Sequence, residues 1–398
     1  MVNYTHISGA LFSIALIFSG CDGGNEERLD SGKVVYKPAI DSLTFMPVKG
    51  DTLRFSAPFR GSYGTAQSYV DDGQTYWVGL IPSEYRLEFF SLDSKTPTQS
   101  IDFESEGPNG VKGYIDGFFY HNADSIFLLS IEANHIYLMN DKAEKVDLFD
   151  FRDLPLPDGF AEYDVYANDG FLNGPYYVPS NKTIQLYTYR WNTDLEDNMS
   201  QHVFASFSII DRDFVSMYGL YPDNYKKGEN YSFYDDPVLA VVDTLSFVQF
   251  GASEYLAAYN NASGELLYIS KEHCEHWPGP PEPVGSYDLD KSGDWLIEQA
   301  AYPVVLHDEQ NGLIYRFLKH KQPLQDDSRS FWYGPFCISM YDYGLKRLGH
   351  YELPTNTFLP VLAFAAKGDV WINNPVRPED ENTSLFYRLK LSKKTGRQ

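Results

Sequence analysis

The sequence predicts an all-β protein, and within that class a six-bladed β-propeller closed by an N-terminal strand. Three observations lead there. Beyond residue 33 helical periodicity is nearly absent, while short runs of Val, Ile, Tyr, Phe and Leu alternate with clusters of Gly, Asn, Asp and Pro. A hairpin unit recurs along the chain, in which an apolar strand meets an Asp or Asn turn and is followed by a second strand. Its turns fall at residues 93, 141, 211, 260, 342 and 392, and three of the five intervals are roughly 50 residues, near the period at which four-stranded blades repeat. A pair of β-sandwiches also spaces strands regularly, but one unit repeated from end to end favours the propeller.

Taken in order, residues 1–20 contain no Asp, Glu, Lys or Arg, and the run from Ile7 to Phe18 has the length of a signal-peptide apolar region, too short to span a bilayer. The stretch Phe18-Ser19-Gly20-Cys21 resembles the lipobox of bacterial lipoproteins. That resemblance implies cleavage before Cys21 and a lipid on its side chain. Residues 21–33 are polar, acidic and glycine-containing, with too little apolar surface to fold, and read as a flexible tether. The acidic stretch after Cys21 also resembles the surface-export signals of some Gram-negative lipoproteins. The expected address is the bacterial cell envelope, on an outer-membrane lipoprotein facing the periplasm or the cell surface.

Residues 34–398 then form the single propeller domain. The hairpins read Leu87 to Leu92 with Gln99 to Phe103, Ile136 to Met139 with Lys145 to Phe149, and Phe204 to Ile210 with Phe214 to Tyr218. They continue as Leu256 to Tyr259 with Glu265 to Ser270, and Cys337 to Tyr341 with Arg347 to Leu353. One unit shows four strands in order, at 115–120, 125–130, 136–139 and 145–149. The two long intervals predict insertions near residues 150–180 and 271–335. The last strand, Leu385 to Leu391, ends with the chain and would leave an open edge. A strand at Leu43 to Val48 is expected to pair with it and close the ring.

The connection Phe103-Glu104-Ser105-Glu106-Gly107-Pro108-Asn109-Gly110-Val111 resembles the Gly-Pro turns between blades of six-bladed, NHL/TolB-like propellers. With the lipobox and Asp124-Ser125-Ile126-Phe127-Leu128, the chain resembles a domain-of-unknown-function family of envelope lipoproteins. The resemblance implies a fold and an address, and carries no catalytic residues with it.

Composition narrows the function classes. With 32 basic against 55 acidic residues, a net charge of −23 and 43% hydrophobic residues, the chain is a folded acidic protein. It lacks the basic footprint that nucleic-acid binding requires, so no nucleic acid is expected among its partners. Gly-x-Ser-x-Gly, Gly-rich phosphate-loop and His-Glu-x-x-His motifs are missing, which favours a binding role without catalysis and without an organic cofactor.

Four features carry candidate chemistry. Asp288, Asp290, Ser292 and Asp294 place hard oxygen ligands at alternate positions around Gly293, as at the start of a calcium loop, although an ordinary turn uses the same residues. Calcium is therefore the one ion the spacing suggests. His273-Cys274-Glu275-His276 packs ligand types suited to zinc or copper into four residues, but an extended strand would turn His273 and Glu275 away from Cys274 and His276. Cys274 and Cys337 are alternatively a disulfide pair in an oxidising compartment. Aromatic loops containing Tyr225, Tyr231, Tyr234, Trp332 and Tyr333 suit stacking against a glycan or a protein surface, or packing over the ring. The leading expectation is a lipid-anchored, non-catalytic binder of a protein or glycan. The alternative is a glycan-active envelope enzyme using carboxylates from different blades.

Overall fold

The structure is a computed structural model, in which the described residues are 41–56, 65–152, 154, 174–188, 202–225, 229–271, 273–284, 289–323, 334–353, 358–373 and 383–394. The signal peptide, the tether and Cys21 lie outside them, as do Asp288, Trp332 and Tyr333.

The fold is all-β with one α-helix. Four four-stranded antiparallel sheets follow one another along the chain. The first holds β2 (Ala66–Asp71), β3 (Gln74–Ile81), β4 (Arg86–Ser91) and β5 (Thr96–Asp102). The second holds β6 (Gly117–Asn122), β7 (Ser125–Ser130), β8 (His135–Met139) and β9 (Lys145–Asp150). The third is built from β10 (Tyr176–Val178), β11 (Thr183–Tyr187), β12 (His202–Ser208) and β13 (Asp213–Leu220). The fourth is built from β14 (Pro237–Val242), β15 (Leu245–Phe250), β16 (Leu256–Asn260) and β17 (Leu266–Ser270).

An eight-stranded sheet completes the molecule. One half contains β18 (Ala301–Asp308), β19 (Leu313–Lys319), β20 (Phe336–Tyr341) and β21 (Arg347–Leu353). The other contains β22 (Leu359–Ala366), β23 (Asp369–Asn373), β24 (Thr383–Lys393) and the N-terminal strand β1 (Leu43–Ser56). As the open edge of the last repeat requires, β1 pairs antiparallel with β24, from Leu43 opposite Lys393 to Ser56 opposite Thr383. A single parallel register point, Leu43 opposite Gly349, joins β1 to β21.

Burial explains why the strands read so differently in sequence. β7, Ser-Ile-Phe-Leu-Leu-Ser, is buried from Ile126 onward, so it is nearly continuously apolar. β5, at the far edge of its sheet, exposes every residue except Ile101 and is correspondingly polar. The connecting turns are held by their own side chains. Asn140 Oδ1 accepts from the backbone N–H of Lys142 (3.0 Å) and Glu144 (2.9 Å), and Asn260 Oδ1 accepts from Ala262 (3.0 Å) and Ser263 (3.1 Å). Gly264 closes the second of these turns at φ +77°, where a Cβ would lie 2.5 Å from the Met217 carbonyl oxygen.

The sheets stack face to face in a propeller-like arrangement, and apolar clusters run from each to the next. Leu80 and Phe89 of the first sheet meet Phe118 and Leu128 of the second. Phe127 and Phe149 of the second meet Ile184 and Phe207 of the third, and Phe204 and Tyr218 of the third meet Val248 and Tyr259 of the fourth. Phe247 and Leu256 of the fourth meet Ile314 and Tyr341. Finally Leu53, Phe364, Trp371 and Phe386 meet Trp77 and Phe90, which returns the core to the first sheet. No sheet could bury both faces alone, and this circuit supplies each with two neighbours.

Two sequence expectations are corrected. The insertion expected at 271–335 contains β18 and β19, which belong to the eight-stranded sheet, so the strand repeat resumes at Ala301. Within that stretch the expected calcium-type turn is a helix, α1 (Leu289–Glu298). A helix turns alternate residues by about 200°, so Ser292 and Asp294 face different sides. Ser292 is buried and Asp294 exposed. Among the described residues, no helix is long and apolar enough to cross a membrane.

Candidate functional site: a His-His-Glu cluster beside a disulfide

The tyrosines expected to stack on a ligand are core residues. Tyr225, Tyr231 and Tyr234 are only 5%, 2% and 5% exposed, because they pack with Leu296 and Trp295 of α1 on the third and fourth sheets. Tyr225 donates to the Tyr234 carbonyl oxygen and accepts from the Ala252 N–H. Tyr231 donates to the Asn224 carbonyl oxygen, and the Tyr234 hydroxyl reaches the Leu296 carbonyl oxygen of α1 at 3.5 Å. Beside them, both oxygens of Asp235 accept from the Tyr231 N–H at 3.1 Å. Desolvation, reinforced by neighbouring Asp236, raises the Asp235 pKa to about 8.

The buried charges also have structural partners. Arg316 lies 3.4 Å over the Tyr302 ring and donates to the carbonyl oxygens of Ser253 and Glu254. Lys319 donates to the carbonyl oxygens of Leu296 (2.8 Å), Ile297 (3.2 Å) and Gln299 (2.7 Å). It thereby satisfies the C-terminal end of α1, where a cation is favoured.

A different constellation forms where the segment after β17 crosses the end of the eight-stranded sheet. Cys274 and Cys337 are joined by a disulfide, closing a sequence separation of 63 residues. The bridge is buried with Trp277, Ala300, Tyr302 and Leu318, and the Trp277 ring lies tilted against Tyr302, 4.9 Å between centroids. Arg347 adds a third tie by donating to the His273 carbonyl oxygen at 2.6 Å. His276 sits between two buried anchors, Cys274 and Trp277, yet its own side chain is 55% exposed.

Three elements converge on that histidine. Its Nε2 lies 3.7 Å from Glu352 Oε1, on β21. His320, one residue past β19, places its Nε2 3.5 Å from Glu352 Oε2. The two imidazole rings are 4.4 Å apart between centroids. One ligand atom from each of the three residues lies within 4.8 Å of the other two. His320 is anchored by its backbone N–H, which donates to the Pro335 carbonyl oxygen at 3.0 Å. Its side chain is only 13% exposed, and the buried Nε2 has no hydrogen-bond partner. Burial, with His276 and Lys319 nearby, lowers the His320 pKa to about 4. Desolvation raises that of Glu352, although His276 and His350 pull it down.

The metal-like motif at 273–276 therefore contributes one residue, His276, while Cys274 is consumed by the disulfide. His320 and Glu352 were missed because they stand on other strands far along the chain. No local spacing announces them; only the register of β19, β20 and β21 brings them together.

A family model described as "Domain of unknown function (DUF4221)" matches residues 43–351. Among solved structures, a member of that family from Bacteroides vulgatus superposes with a TM-score of 0.73 at 16% identity, covering 89% of this chain and 99% of the other. A second, described as "Putative exported protein" from Bacteroides fragilis, gives a TM-score of 0.52 at 12% identity, covering 91% and 99%. At these identities the likeness is one of fold. No curated protein matches the chain.

Proposed function

Because the chain belongs to the DUF4221 family, a domain of unknown function, we propose for it an architectural and binding role: an exported six-bladed β-propeller, held to the membrane by a lipid on Cys21, that holds a protein or glycan partner without catalysis. The observation that carries the reading is the Cys274–Cys337 disulfide. Such bridges persist in the periplasm and at cell surfaces and are rare where thiols are kept reduced. The exported description of the Bacteroides fragilis structure agrees with that address, as does the apolar run that ends at Cys21.

Six blades follow from treating the eight-stranded sheet as two units, β18–β21 and β22–β24 with β1, that touch in register only at Leu43 and Gly349. Ten residue pairs tie β1 to β24, so the N-terminal strand belongs with the last unit. Such a ring places the tether at the start of the closing strand.

A binding role is favoured because Arg316, Lys319 and the tyrosine cluster are engaged in holding the scaffold. The alternative, a glycan-active enzyme using carboxylates from different blades, has one candidate acid in Asp235, whose raised pKa is the kind expected of a general acid. Loss of turnover in Asp235→Asn, on any glycan the wild type degrades, would establish it.

The anchor is tested by fractionating cells that express the wild type and Cys21→Ser. The wild type should sediment with membranes and incorporate labelled palmitate, and the variant should do neither. Unchanged sedimentation of Cys21→Ser would contradict the proposal.

A further inference from the structure

We infer that His276, His320 and Glu352 form a zinc site with three protein ligands and an open coordination position. The donors narrow the ion to the borderline metals that imidazole suits, and His₂Glu is a recurrent zinc set. Two imidazoles and one carboxylate suit zinc, whereas calcium and magnesium take oxygen ligands almost exclusively. The thiols that would attract softer ions are locked in the Cys274–Cys337 disulfide.

The distances agree with a tetrahedral ion. Ligand atoms about 2.0–2.1 Å from zinc stand roughly 3.3 Å from one another. His276 Nε2 lies 3.7 Å from Glu352 Oε1 and His320 Nε2 lies 3.5 Å from Glu352 Oε2, and one ligand atom from each residue falls within 4.8 Å of the other two. Drawing the set in from within 4.8 Å to that spacing is side-chain rotation, for which the partly exposed His276 and Glu352 have room.

Preorganisation supports the same conclusion. His320 offers a buried Nε2 that no hydrogen bond occupies, an arrangement that costs free energy unless something uses the lone pair. The disulfide and Trp277 fix the loop on either side of His276, and Glu352 stands on a paired strand. At 55% and 43% exposure, His276 and Glu352 leave an entry path from solvent, where water or an external ligand would fill the fourth position.

The test is zinc binding by the full chain, purified with its disulfide intact, in competition with a chelating dye. One zinc per chain is expected. His276→Ala and Glu352→Gln should each weaken binding by at least about 100-fold, since partners that merely support a ligand are already worth about 10- to 100-fold. Replacing zinc with cobalt(II) should give the visible bands of a four- or five-coordinate ion without thiolate charge transfer. Because His276 is exposed, the metal-free His276→Ala protein should melt with the wild type, which separates lost ligation from lost folding. The inference is overturned if the dye strips the wild type as readily as His276→Ala. It is overturned too if both variants bind like the wild type, which would mark the zinc as adventitious on an acidic surface, or if the cobalt spectrum shows thiolate ligation. None of these outcomes depends on the lipid anchor.

Discussion

Cys337 and Glu352 stand directly opposite one another on β20 and β21. Opposite residues of an antiparallel pair share a face, so the disulfide that draws Cys274 onto Cys337 also delivers His276 to Glu352. One covalent bond thereby sets both the path of the segment after β17 and the geometry of the histidine cluster.

Removing that bond should cost stability. With the cysteines 63 positions apart in sequence, the chain-entropy account gives about 4 kcal/mol, and native bridges typically return about 2–4 kcal/mol. Urea unfolding of Cys274→Ser/Cys337→Ser, compared with the oxidised wild type, should show a loss of that order. An unchanged midpoint would mean that the loop is held by Trp277 and Arg347 alone.

Ring closure by β1 is equally open to measurement. Phe45 is 2% exposed and meets Tyr315 edge-on at 5.3 Å, so the N-terminal strand packs on β19 as well as pairing with β24. Phe45→Ala should destabilise the whole domain by about 3–5 kcal/mol in a single cooperative transition. Local fraying of β1 with the remainder intact would contradict closure.

The legible parts of the fold were those that depend on local sequence. Strand-Asx-strand units announce themselves because Asn140 and Asn260 cap their own turns, and the alternation around them marks which strands face neighbours. The pairing of β1 with β24 was legible from the incomplete last repeat. Helix α1 was not, because Asp290, Ser292 and Asp294 are good turn residues. Tertiary packing of Leu296 and Ile297, with Lys319 at the C-terminal carbonyls, overrides that preference. The tyrosines were open in the sequence for a related reason: aromatic residues between strands look the same whether they cover the ring or await a ligand, and burial of Tyr225, Tyr231 and Tyr234 favours the first. Nor can Glu352 be linked to His276 without knowing that β20 and β21 pair as they do.

Lys319 provides the next test. Its ammonium donates to three carbonyl oxygens at the end of α1, of which Ile297 also accepts from the Gln322 N–H and Leu296 from the Tyr234 hydroxyl. Lys319→Met keeps the stem but removes the charged donor that these carbonyls share, and should cost roughly 1–3 kcal/mol. Hydrogen exchange should locate the loss in α1, with the amides of β7 unchanged.

Asp235 predicts a pH dependence. Its pKa rises from 3.8 to about 8 on folding, so the folded state holds a proton that the unfolded chain has released. That stabilisation is complete below pH 4 and is lost as pH rises toward 8. Asp235→Asn should flatten the decline across this window in unfolding curves taken at successive pH values. A parallel decline in wild type and variant would assign it to other groups.

The central claim is that this propeller is exported and tethered by a lipid on Cys21. Intact-mass and peptide mass spectrometry of the protein extracted from membranes tests it most directly. The account predicts a mature chain beginning at Cys21 and carrying the added mass of a lipid. A chain that retains residues 1–20, or one with an unmodified Cys21, would contradict it.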